Sequence, residues 1–100
     1  MALNVVVHQS MLEDEEREPS AILGEHDEAL RALRRIRGIS GYEHTIEFEG
    51  FNFDSLSRLC RGHESVVLYG CCRENCLEKA ADVLQRSGYS VAYDIDGTTF

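Results

Sequence analysis

Four short apolar runs, separated by segments with helical spacing, organise this chain of 100 residues. Segments 3–9 (LNVVVHQ) and 65–70 (SVVLYG) are β-branched and apolar, which is typical of strands buried on both faces. Segment 44–50 (HTIEFEG) alternates apolar with polar residues, which indicates a strand with one wet face near a sheet edge. Segment 89–96 (YSVAYDID) predicts a last strand.

Helical spacing lies between these runs. Apolar residues recur every three or four positions from Asp27, which can cap a helix that Gly38 ends. Segment 52–62 predicts a short helix and segment 73–87 a longer one that Gly88 closes. The apolar sides of the three helices are Ala29, Leu30, Ala32, Leu33 and Ile36; Phe53, Leu56, Leu59 and Cys60; and Cys76, Leu77, Ala80, Ala81, Val83 and Leu84.

The alternation of strands and helices predicts one domain over residues 1–100. It is a small three-layer α/β/α domain with a mostly parallel four-stranded sheet of Rossmann-like type. Segment 13–26 is acidic, contains the breakers Pro19 and Gly24, and is predicted to be a loop.

Composition narrows the function classes. The net charge of −8 disfavours a nucleic-acid partner, since phosphate binding needs a basic surface. The chain has no apolar run of membrane-spanning length and no basic leader at its N-terminus, so we expect a cytoplasmic protein without a membrane partner. In that compartment the four cysteines are expected to be free thiols.

The charge is unevenly distributed. Residues 13–28 carry eight acids and one base, Arg17, and a basic stretch follows at residues 31–37. We interpret this pattern as an acidic loop followed by the solvated face of a helix. The alternative is an acidic surface for a basic partner, as in an inhibitor or a nucleic-acid mimic.

Parallel sheets bind ligands beyond the carboxyl ends of their strands. Residues following the first and third strands are therefore the predicted binding set: Gln9, Ser10, Gly70, Cys71, Cys72, Arg73 and Asn75. Cys76 is expected in the first turn of a helix, where the helix dipole and Arg73 would stabilise a thiolate. We predict Cys76 as a nucleophile, His8 as its base, and the amides of residues 70–75 as oxyanion donors.

Other interpretations of the cysteines compete with this one. Cys71, Cys72 and Cys76 could ligate a metal ion with a distant histidine, but their spacing lacks the paired C-x-x-C of structural zinc sites. A persulfide-carrying loop is disfavoured because Leu77 stands where the closing arginine would be. We therefore expect neither a metal nor a cofactor. Cys60, on an apolar stripe, is expected to pack as a small core residue.

Segment 66–97 resembles the nucleophile segment of the isochorismatase-like cysteine hydrolases. The matching positions are the strand-ending Gly70, the helix-starting Cys76, the Gly88–Tyr89 cap and the Asp96–Gly97 pair. Segment 2–12 is similar to the opening strand of that family, with Gln9 matching a usual glutamine. The resemblance implies the family's α/β fold and a catalytic Cys76.

The chain departs from that family at two catalytic positions. The resemblance puts Val7 where the family has its proton-shuttling aspartate, and Glu47 or Phe48 where it has its lysine. The chain also lacks the family's middle part, which builds much of the substrate pocket. We therefore expect a degenerate relative that binds a small molecule or a protein through the cleft at the strand ends. The alternatives are an active cysteine hydrolase of amide-type substrates and the acidic interaction protein described above.

An aromatic strip suggests self-association. Phe48, Phe51 and Phe53 follow one another closely in segment 45–53, and a sheet this small is expected to leave part of that strip uncovered. We therefore predict a homodimer.

Overall fold

The computed structural model describes residues 2–18, 25–39 and 44–99. Its strands and helices follow the predicted alternation, with one additional helix after the first strand. The elements are β1 (Leu3–Val7), α1 (Gln9–Arg17), α2 (Glu25–Ile39), β2 (Thr45–Phe48), a 3₁₀ turn (Phe53–Ser55), α3 (Leu56–Leu59), β3 (Ser65–Gly70), α4 (Cys76–Arg86) and β4 (Ser90–Thr98).

The four strands form one sheet in the order β2-β1-β3-β4, and every neighbouring pair is parallel. Val5, in the centre of the sheet, pairs with Ile46 on one side and with Leu68 on the other. The chain moves from β1 outward to β2 and then returns across β1 to β3. The strand order therefore reverses between β1 and β3, which is where such sheets place their ligands.

One face of the sheet packs against α3 and α4. Val5, Val7 and Leu68 point into this layer and are fully buried. The helices contribute the predicted apolar stripes, except that Leu59 is 53% exposed and that Phe53 and Val83 are half-buried. Leu59 was predicted to be inward, but α3 is only four residues long and turns that position towards solvent.

The opposite face packs against α1 and α2. Val6 and Tyr69 project from the sheet into a second core cluster, which α2 fills with Ala29, Ala32, Leu33 and Ile36. Burial of these four residues confirms the predicted helical spacing, although Leu30, also predicted on this stripe, is only half-buried. Helices thus cover both faces of a parallel sheet, and the predicted three-layer α/β/α architecture is confirmed.

Two differences from the predicted boundaries affect the helices on this face, beyond shifts of a few residues at the ends of other elements. Residues 9–17, assigned in large part to an acidic loop, form helix α1, which buries only Leu12. One buried residue gives no apolar stripe, so the periodicity of the sequence could not indicate this helix. Helix α2 begins at Glu25 rather than after an Asp27 cap and extends one residue past Gly38. Pro19 and Gly24, the predicted breakers, lie outside the described residues.

None of the helices in the described segments combines the length and apolar character that a membrane crossing requires.

Candidate functional site

The turn that carries three cysteines begins where β3 ends. Gly70 has φ 115°, a conformation that favours glycine, and a side-chain carbon at this position would lie 2.0 Å from the carbonyl oxygen of Val7. The glycine therefore lets the end of β3 press against the end of β1. Beyond it, the amide of Cys71 donates to that same carbonyl at 3.2 Å, and the amide of Arg73 donates to the carbonyl of Thr99 at 2.7 Å.

Cys71 and Cys72 are joined by a disulfide between adjacent residues, across a cis peptide bond. The prediction of four free thiols is therefore wrong for this pair. Cys60 and Cys76 are free and buried. Burial raises the pKa of the Cys60 thiol, which favours its neutral form. Cys60 directly follows α3 and is fully buried in the core, as its place on an apolar stripe predicted.

Cys76 is the first residue of α4, where the sequence placed it, but its surroundings are apolar. It is 9% exposed and belongs to the same core cluster as Val7 and Phe48. The Asn75 side chain makes no capping hydrogen bond to the helix. Cys76 therefore packs as a small core residue at the start of a helix.

The predicted oxyanion donors are partly occupied. Alternate amides of the loop, those of Cys71, Arg73 and Asn75, already donate to backbone carbonyls. The Asn75 amide donates to the carbonyl of Cys72 at 3.0 Å, and the Leu77 amide donates to the same oxygen at 2.9 Å. These bonds fix the turn, and they remove three of the amides that we expected to face a substrate.

His8, the predicted base, is tied to another loop. It has φ 55°, lies at the start of α1 and is 1% exposed. Its Nε2 lies 2.6 Å from the carbonyl oxygen of Gly50. Because a carbonyl can only accept, Nε2 is the donor of this hydrogen bond. Within the described residues Nδ1 has no hydrogen-bond partner, and none of the hydrogen bonds of His8 reaches Cys76.

Three aromatic rings surround the imidazole. The ring centroids of Phe51, Phe53 and Phe48 lie 4.7, 6.0 and 6.2 Å from that of His8. Phe48 is buried and Phe53 is half-buried, so the predicted exposed strip is reduced to Phe51, which is 74% exposed. His8 therefore anchors the loop that follows β2.

Ser10, in α1, forms hydrogen bonds to the same loop. Its amide and its hydroxyl both donate to the carboxylate of Glu49, at 3.1 and 2.6 Å. This carboxylate lies at the N-terminal end of α1, where the helix dipole favours a negative charge. Gln9, the third predicted residue of this group, is half-buried at the first position of α1.

A cavity of about 250 Å³ opens beside the disulfide, at the carboxyl ends of β3 and β4. The sequence predicted Cys71 and Cys72 in this place but missed the remaining residues, which come from α1, α2 and the segment after β4. The described residues that line it are Met11, Leu12, Glu15, Glu28, Ala29, Cys71, Cys72 and Thr99. The cavity is on the face covered by α1 and α2, whereas Cys76 belongs to the core on the other face.

Ion pairs neutralise much of the acidic helix. Both carboxylate oxygens of Glu16 accept from Arg37, at 2.8 and 2.9 Å, and this hydrogen bonding lowers the pKa of Glu16. Asp14 pairs with Arg17. These contacts place the first part of the acidic stretch in a helix beside α2, instead of in the predicted loop. No cluster of three or more His, Cys, Asp or Glu side chains suited to a metal ion occurs among the described residues.

A second polar cluster lies where β4 leaves the sheet. Arg35 donates to the carboxylate of Asp94 at 3.2 and 3.3 Å, and the Gly97 amide donates to the same carboxylate at 2.7 Å. Burial, together with the negative charge of Asp94, raises the pKa of Tyr69. These contacts hold an irregular stretch in which β4 shifts its register against β3.

The fold and the site define a three-layer α/β domain with a cysteine-containing turn at its topological switch point. No protein family, curated protein or solved structure matches the chain.

Proposed function

We propose that this protein is a catalytically degenerate relative of the isochorismatase-like cysteine hydrolases and binds a small molecule in the cavity beside Cys71 and Cys72. One observation supports the proposed loss of catalysis. The strand-end position that the family resemblance assigns to an acid is Val7, which is fully buried in the cluster that holds Cys76. A thiol in an apolar cluster, without a base bonded to it, is a poor nucleophile.

The neighbouring histidine does not replace the missing acid. Its Nε2 proton is committed to the Gly50 carbonyl, and Phe51 covers its ring. The family's lysine position falls on the exposed Glu47 or the buried Phe48, neither of which carries a positive charge. Cys76 thus retains its place in the fold without the groups that would activate it.

The cavity supports the binding part of the proposal. It lies at the carboxyl ends of the strands, and Met11, Leu12 and Ala29 give it apolar walls. Glu15 and Glu28 add carboxylates to its lining. This combination favours a small molecule with an apolar body and hydrogen-bond donors or a positive charge at one end.

A fragment screen followed by amide NMR shifts tests this proposal. We expect apolar fragments that carry an amine to shift the amides of Met11, Cys72 and Thr99. Ala29→Leu, which fills the cavity, should abolish these shifts, and Ala92→Leu at an exposed position of β4 is the matched control. Shifts that survive Ala29→Leu, or that never involve the cavity, would contradict the proposal.

An active cysteine hydrolase is the second candidate, because Cys76 is the first residue of a helix of 11 residues, where a thiolate is stabilised. Its test is turnover of a panel of amide substrates by the wild type and by Cys76→Ala. Turnover that is lost in Cys76→Ala would establish this candidate and end the proposal of degeneracy.

The remaining expectations rest on the sequence. We infer a cytoplasmic location and a homodimer, the latter now supported by the exposed Phe51 alone. Size-exclusion chromatography with light scattering should give twice the mass of one chain, and Phe51→Ser should shift the protein to the monomer. A monomeric wild type would exclude the homodimer.

A further inference from the structure

The outer edge of β4 has no neighbouring strand within the described part of the chain, since β4 is the last strand in the sheet order. We propose that this edge is a docking site for an extended, basic segment of another protein, which adds to the sheet as a fifth strand. A free edge offers a row of backbone donors and acceptors, and proteins use such edges to bind extended peptides. The proposal is independent of the cavity beside the disulfide.

A groove of about 660 Å³ runs alongside this edge, between β4 and α4. Its floor includes Ala81, Val91 and Tyr93, and the two β4 residues are half-buried, so apolar surface remains available for contact. Burying such surface against a partner would add hydrophobic stabilisation to the backbone hydrogen bonds.

The wall of the groove sets the charge of the partner. Glu74, just before α4, and Glu78 and Asp82 within it follow one another at four-residue intervals, and all three are exposed. Asp82 is also paired with Arg86 of the same helix, at 2.6 Å. Lys79 is the one basic residue among the described residues that line the groove. Glu78 also contributes to the raised pKa of Tyr93 in the floor, after burial. The side chains of an added strand that face α4 would therefore be basic.

The other face of β4 has the opposite charge. Arg31, Arg34 and Arg35 of α2 line a shallow hollow with Asp96. Successive side chains of a strand point to opposite faces, so only alternate residues of the partner would meet α4. The partner that fits is therefore an extended segment with basic residues at every second position and uncharged or acidic residues between them.

A second copy of this chain does not meet that requirement. Two copies joined edge to edge by antiparallel β4 strands would keep α4 beside the other α4, because the two-fold axis is perpendicular to the sheet. Glu78 and Asp82 would then approach their own counterparts, and Arg31 and Arg34 would do the same on the other face. Like charges facing each other across an interface oppose association.

The test uses two synthetic peptides of equal composition. One alternates its charges (acetyl-Lys-Val-Lys-Thr-Lys-Val-Lys-amide), and the other clusters its lysines at one end. Isothermal calorimetry should show tighter binding of the alternating peptide, and hydrogen exchange should show protection of amides between Val91 and Tyr93 on binding. Equal binding of both peptides would reveal general attraction to a negatively charged protein and would overturn the proposal.

Charge reversal locates the site. Glu78→Lys with Asp82→Lys should weaken the alternating peptide about tenfold, because two attractive contacts become repulsive. Glu18→Lys with Glu47→Lys changes the net charge equally at exposed positions elsewhere and should leave the affinity within about twofold. If the first pair does not fold, Glu78→Gln with Asp82→Asn replaces it. The docking site would be refuted if both double variants lost the same affinity for the peptide. It would also be refuted if self-association of the protein, rather than the peptide, protected the β4 amides from exchange.

Discussion

Replacing His8 tests whether this residue is a structural anchor. In His8→Ala the protein loses the 2.6 Å hydrogen bond to the Gly50 carbonyl, worth about 1 kcal/mol. It also loses the packing of a fully buried ring against Phe51 and its neighbours, worth about 2 kcal/mol with the cavity that remains. We expect the free energy of unfolding to fall by about 3 kcal/mol.

The positive φ of His8 predicts a difference in stability between the alanine and glycine variants. Alanine keeps the cost of φ 55°, which is about 1 kcal/mol for a residue with a side-chain carbon, whereas glycine adopts this conformation freely. His8→Gly should therefore be more stable than His8→Ala by about 1 kcal/mol, although it is the smaller residue. Urea unfolding followed by circular dichroism measures both variants.

His63→Ala is the matched control, since His63 is half-buried and its ring centroid lies 5.8 Å from that of His44. We expect it to cost about 0.5 kcal/mol. The structural role of His8 would be refuted if His8→Ala lowered the free energy of unfolding by less than about 1 kcal/mol and His8→Gly were no more stable than His8→Ala. His8 would then again be a candidate catalytic base.

Three further predictions concern the turn, the acidic helix and the buried thiol. Gly70→Ala should cost about 3 kcal/mol or more in thermal unfolding because its side chain would strike the backbone of β1, whereas Gly38→Ala, with open space around it in α2, should stabilise by about 0.5 kcal/mol. Arg37→Ala should return the lowered pKa of Glu16 to its ordinary range in an NMR titration; an unchanged pKa would contradict the observed pair. The raised pKa of Cys60 means that the folded state holds its proton more tightly than the unfolded state. This stabilisation is present below the ordinary value of 9.0 and is lost as the pH rises above it, so Cys60→Ala should show a smaller alkaline loss of stability in urea unfolding.

Local pattern was sufficient for most of the fold. The run from Ser65 to Gly70 was predicted with its observed bounds, because a continuous β-branched segment followed by glycine has few alternatives. The buried stripe of α4 followed from helical spacing in the same way. The edge position of β2 followed from its alternating residues.

Contacts between residues far apart in the sequence could not be predicted from local pattern. Helix α1 was missed because the hydrogen bonds that hold it come from residues distant in the sequence. Ser10 bonds to Glu49, and Glu16 bonds to Arg37. The same is true of His8, whose partner Gly50 is 42 residues away. The position of Cys76 at a helix start was predictable, but its apolar surroundings depend on Val7 in another strand.

The reactivity of Cys76 tests the loss of catalysis most directly. Alkylation with iodoacetamide from about pH 5 to 9, read by mass spectrometry for each cysteine, compares Cys76 with the buried Cys60 in the native protein and in urea. We predict that Cys76 reacts as slowly as Cys60 until the protein unfolds, and that Cys71 and Cys72 stay unmodified without a reductant. Rapid alkylation of Cys76 in the native protein below about pH 7, with Cys60 protected, would show an activated thiolate and contradict the proposed loss of catalysis.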